Sequence, residues 1–90
     1  MPKVVNKARY TIQLLASRRE DDIKRFIKTY HIKQQAKIRF IKRDDMIWYV
    51  LTLGDYNQRH MAEHAIKGLP AELARFKPWI RAKGQLKERG

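Results

Sequence analysis

The sequence predicts an α+β fold. The expected form is a two-layer sandwich in the order β-α-β-β-α-β, ferredoxin- or RNP-like, with a four-stranded antiparallel sheet and both helices on one face. Three observations predict it. Four short segments rich in β-branched and aromatic residues alternate apolar with polar. Two intervening segments repeat apolar residues at helical spacing. The 90 residues are 43% hydrophobic and 33% charged, a globular composition with room for one sheet and one helical layer but no deep enclosed cavity.

The elements follow in order. Residues 1–8 form a polar lead-in or linker. Residues 10–15 read as a strand ending at Ala16-Ser17. Ser17-Arg18-Arg19-Glu20 has the form of a capping box, and Asp21 and Asp22 add negative charge at the positive end of the helix dipole. Ile23, Phe26, Ile27 and Tyr30 make one apolar stripe, which predicts a helix over 18–30. Residues 36–42 are a second strand, Arg43-Asp44-Asp45-Met46 a tight turn, and 47–53 a third strand, broken by Gly54-Asp55-Tyr56-Asn57. Met61, Ala62, Ala65, Ile66 and Leu69 predict a second helix, closed by Gly68 and Pro70. A short helix over 71–76 and a last strand over 77–82 complete the domain at 9–83, and residues 84–90 read as a frayed tail.

Lys and Arg total 21 against 9 acids, a net charge of +12. Residues 1–45 contribute +8 and residues 46–90 contribute +4, so the charge is distributed rather than held in a basic arm, and it suits an anionic partner. The absence of cysteine excludes disulfides and cysteine-ligated zinc. No run approaches the roughly 18 apolar residues of a membrane span.

Strand alternation divides the side chains between two faces. Ile12, Leu14, Ile38, Phe40, Tyr49, Leu51, Leu53 and Ile80 are expected under the helices. Gln13, Trp48, Trp79, Arg39 and Arg81 are expected on the open face with Lys37, Ile41, Thr52 and Lys83, framed by Thr11, Leu15 and Val50. Such a surface suits flat, anionic polymers: bases stack on aromatic rings, and sugars lay an apolar C–H face on indole while an amide bonds their polar groups. The competing reading makes Trp48 and Trp79 core residues, and a one-residue slip of register would invert every assignment.

Other chemistry is weakly represented. His60 and His64 stand at i, i+4 with Glu63 between them, but no third ligand or metalloprotease motif accompanies them. Ser17 lacks a triad partner at motif spacing, and the carboxylates fall at helix starts and a turn. Catalysis is therefore not supported, and no metal and no cofactor are expected.

Several motifs resemble the SPOR domain: Tyr10-Thr11-Ile12-Gln13-Leu14, Trp48-Tyr49-Val50-Leu51, Gly54-Asp55-Tyr56, the helix with Ala62, Ala65 and Ile66, Leu69-Pro70-Ala71-Glu72, and Lys77-Pro78-Trp79. The likeness runs over residues 9–83 and is nearest to the SPOR domains of bacterial cell-division proteins. It implies a peptidoglycan-binding module, not an enzyme, that recognises glycan strands stripped of stem peptides and targets its parent to the division septum. It implies a periplasmic domain of an inner-membrane protein, joined to the membrane only through an upstream span, with other division proteins as further partners and no nucleic acid. Carried over by motif, the family's ligand positions fall on Gln13, Trp48 and Trp79, with Ser17 in the turn that supplies polar contacts and Ala16 where relatives often have Ser. Stem-peptide removal leaves lactyl carboxylates on the strand, and Arg39 and Arg81 are read as their partners. Two alternatives remain at this point. One is an RRM-like single-stranded nucleic-acid binder of the same topology, although the RNP1 pattern is absent. The other is a protein-docking module using the sheet or its edges.

Overall fold

A computed structural model describes residues 9–88; the expected lead-in over 1–8 lies outside them. The elements are β1 (Tyr10–Ser17), α1 (Glu20–Tyr30), β2 (Ala36–Arg43), β3 (Met46–Tyr56), α2 (Arg59–Lys67), α3 (Ala71–Ala74), β4 (Trp79–Ala82), a 3-10 turn (Lys83–Gln85) and β5 (Lys87–Glu88). The two-layer α+β arrangement is as expected, but the antiparallel sheet has five strands rather than four, in the order β4-β1-β3-β2-β5.

The core lies between sheet and helices. Ile12 and Leu14 of β1, Leu51 and Leu53 of β3, Ile23 of α1, Ala62 of α2 and Leu73 of α3 are buried together. Ile23 is 0% exposed, a burial that contributes about 2 kcal/mol. A Phe26, Tyr30 and Phe76 cluster packs against this core, with Phe26 and Phe76 edge-to-face at 5.0 Å. α1 ends where His31 adopts φ 56°, and the Ile32 N–H reaches back to the Ile27 carbonyl at 3.2 Å. This left-handed cap turns the chain into β2 and buries Ile32. The β2–β3 hairpin turns on Asp44 and Asp45, with φ of 54° and 64°. Positive φ at both central residues suits the twist of the flanking strands.

Two bulges alter the expected register. In the first, β3 does not break at Gly54 but continues to Tyr56. Gly54 takes φ 73°, open to glycine at no steric cost, and the Thr11 hydroxyl donates to its carbonyl at 2.6 Å. In the second, the pairing shifts between Gln13↔Thr52 and Leu15↔Leu51, leaving an extra residue in β1. Leu14 and Leu15 therefore both serve the core, Leu15 is not on the open face, and Ala16, opposite Val50, takes that side.

The frayed tail is also corrected. The 3-10 turn and Leu86, which is 9% exposed, carry the chain from β4 at one edge of the sheet to β5 at the other. The link passes over the face away from the helices. There Lys83 Nζ meets Asp55 at 3.1 Å, and Thr11 and Thr52 beneath are each 0% exposed. The face expected to be open is thus half covered. Lys87-Glu88 has no alternating apolar pattern, so nothing local marked it as a strand.

Candidate functional site

The uncovered half of that face forms a groove of about 270 Å³. Its layout follows from the strand order. Trp79 and Arg81 of β4 make one wall; Trp48 of β3 with Ile41 and Arg43 of β2 make the other; Gln13, Ala16 and Val50 lie between. Register brings them together, since Gln13 pairs with Trp79 and Trp48 with Ile41. Trp79 is 48% exposed, and Trp48 is half-buried. Neither indole belongs to the core, so the competing reading of the two tryptophans fails.

Arg81 is the group that organises one wall. It is only 8% exposed. Its Nη1 donates to Gln13 Oε1 at 2.8 Å, which orients the amide, and its guanidinium carbon stands 5.0 Å from the centre of the Trp79 ring. Its buried Nε has no hydrogen-bond partner. Among the described residues no carboxylate lies within ion-pair distance of Arg81 or of Arg43. Burial, with the charge of Arg43 added, lowers the Arg81 pKa from its ordinary value, yet a guanidinium stays charged at neutral pH. The groove thus presents two flat apolar faces, one aligned amide and positive charge that no described carboxylate neutralises.

Arg39 does not join them. It is 2% exposed and lies under the C-terminal link. Its Nε donates to Glu88 Oε2 at 3.1 Å, its Nη2 to Asp55 Oδ1 at 3.1 Å and its Nη1 to the Thr52 hydroxyl at 2.6 Å. The Thr52 hydroxyl in turn donates to the Lys37 carbonyl at 2.9 Å. The expectation that Arg39 meets a ligand carboxylate is corrected, because two of the protein's own carboxylates already hold it. Lys37 and Lys83 are likewise engaged, with Glu88 at 3.6 Å and Asp55 at 3.1 Å.

Ser17 also stands apart from the groove. It pairs with Tyr49 at the end of β1; its hydroxyl donates to Asp22 Oδ2 at 2.8 Å and accepts from the Arg19 N–H at 3.1 Å. Because Ser17 remains in the strand, the N-cap of α1 is Arg19, with no side-chain cap, and the expected capping box does not form. Two groove residues escaped sequence reasoning. The turn pattern Arg43-Asp44-Asp45-Met46 claims Arg43, although its alternation with Lys37, Arg39 and Ile41 marks the groove face. Ala16 was hidden by the β1 bulge, which leaves no periodic signal. His60 and His64 are exposed on α2, and among the described residues no three His, Asp or Glu side chains are grouped to hold a metal.

Comparison with known proteins bears on this arrangement. The family model described as "SPOR domain" matches residues 6–82. The chain is 35% identical over 79 residues to the cell division protein DamX of Serratia marcescens, a match covering 88% of this chain and 36% of that protein. The chain therefore spans about a third of the length of the curated relative it matches.

Proposed function

The chain belongs to the SPOR domain family, and on that premise we propose that its tryptophan groove binds the glycan of peptidoglycan, selecting strands that have lost their stem peptides. One observation carries the reading: two indoles, an oriented amide and two guanidiniums without acidic partners among the described residues converge on the uncovered half of a single sheet face. Indole faces complement the apolar face of a sugar ring. The Gln13 amide, held by Arg81, offers its N–H groups to a carbonyl such as that of an acetamido group. A glycan without stem peptides exposes lactyl carboxylates along its length. Arg81, with its free Nε, and Arg43 are the cations suited to them. The assignment replaces Arg39 with Arg43 and omits Ser17.

On this reading the domain directs its parent protein to the division septum from the periplasm, consistent with a relative named as a cell division protein. Among the described residues no helix is long and apolar enough to cross a membrane. Neither similarity favours the nucleic-acid alternative.

The test is cosedimentation with purified sacculi before and after amidase digestion, beside a gel shift with single-stranded RNA. Binding is expected to rise after digestion, to fall in Trp48→Ala and Trp79→Ala, and to be absent for RNA. Equal binding to digested and undigested sacculi, or full binding by both tryptophan variants, contradicts the reading.

A further inference from the structure

A second groove, larger at about 600 Å³, lies between α1 and the start of β2. Its floor is apolar: Ile27 of α1 meets Ala36 and Ile38 of β2, each only partly buried against the core. Its rim is made by the cationic Lys24, Lys28 and Lys33 with His31 beside them, and no acidic residue among those described lines it. The helix sets Lys24, Ile27, Lys28 and His31 at i, i+3, i+4 and i+7 on one stripe. The left-handed turn at His31 then brings Lys33, Ala36 and Ile38 to the opposite side. Lys24 has a long contact with Glu20 at 4.0 Å. Lys28 and Lys33 have no carboxylate within ion-pair distance among the described residues. No residue is shared with the tryptophan groove.

We propose that this groove docks an acidic peptide segment of a partner protein, in which apolar side chains are interspersed with Asp or Glu. The apolar floor favours a partner that removes Ile27 and Ile38 from water. The lysine rim favours one whose apolar anchors are flanked by carboxylates, and repels a basic one. A flat bilayer surface does not enter a concave site. Among the described residues no aromatic side chain lines the groove, so single-stranded nucleic acid finds no stacking platform. The net charge of +12 steers an acidic segment toward the molecule. The inference stands apart from the glycan reading, since it uses other residues.

The experiment is an NMR titration of the full chain with a short synthetic peptide of interspersed leucine and glutamate. The backbone amides of Ile27, Lys28 and Ile38 are expected to shift and saturate, while the two indole N–H signals stay in place. The double variant Lys28→Glu/Lys33→Glu is expected to bind about tenfold more weakly. Unchanged spectral dispersion of that variant will show that it is folded. Four results overturn the proposal: equal binding of the peptide with glutamine in place of glutamate; shifts at the indoles instead of at these amides; undiminished binding by the double variant; or a response of these amides to phosphatidylglycerol vesicles or single-stranded RNA with none to the peptide.

Discussion

Two arginines on the same sheet face have opposite fates. Arg39, beneath the C-terminal link, is held by Asp55, Glu88 and Thr52. Arg81, in the groove, has one protein acceptor, an indole beside it, another guanidinium nearby and a buried Nε with no partner. Both are buried, so exposure does not separate them; the supply of carboxylates does. A buried guanidinium must be matched by hydrogen bonds and opposite charge or it opposes folding. The covered half meets that demand from within and becomes structural. The groove leaves it unmet, and that unmet demand is what an anionic ligand is proposed to satisfy.

The sharpest way to break the comparison is to remove each arginine. Arg39→Met is expected to destabilise by about 3 kcal/mol, because it strands polar groups under the link. Denaturant unfolding checks this, and a loss under about 1 kcal/mol would show that Arg39 contributes only packing. The second-largest effect is expected at Gly54. A methyl there meets the Tyr56 ring, and φ of 73° is strained for an L side chain, so Gly54→Ala should cost about 2 kcal/mol in the same assay. Arg81→Gln should do the reverse of Arg39→Met: stability stays within about 1 kcal/mol of the parent, while glycan affinity drops about tenfold. Isothermal titration at several salt concentrations should give a flatter salt dependence for Arg81→Gln, and flatter again with Arg43→Gln added. An unaltered salt slope would count against carboxylate recognition.

The smallest effect is on pH. Burial pushes the Asp55 carboxyl up, but Lys83 and Arg39 outweigh it and hold it below its ordinary 3.8. The hydrogen bond from Arg39 holds Glu88 below its ordinary 4.5 against a lesser opposing effect of burial. Groups depressed in the folded state contribute stability that is present above those ordinary values and is lost as pH falls through the folded ones. Hydrogen exchange from pH 6 downward should therefore show the link around Leu86 and β5 losing protection below about pH 4, before the amides of Gln13 and Val50. Simultaneous loss in both halves would mean that the two do not respond separately.

Much of the local plan was legible in the residues. Ile23, Phe26, Ile27 and Tyr30 announced α1 because period 3.6 places them on one stripe. Alternation put Gln13, Trp48, Trp79 and Arg81 on one face because strand side chains alternate with period 2. Less legible were the features that depend on an extra residue or a distant partner. The β1 bulge moved Leu15 to the core and Ala16 into the groove without disturbing the composition of the strand. Ser17 looked like a cap by its spacing to Glu20, yet the pairing with Tyr49 kept it in the strand.

By itself, then, the sequence determined the order of helices and strands from β1 to β4, the apolar stripe of each helix and the set of side chains that shares a face with both indoles. These depend on the spacing of neighbouring residues, and secondary structure reads spacing directly. Only the tertiary structure decided that the link to β5 crosses half of that face, that Glu88 and Asp55 meet on Arg39, and that no described acid reaches Arg81. Glu88 lies 49 positions from Arg39, and no local pattern encodes a contact made by folding one edge of a sheet back toward the other.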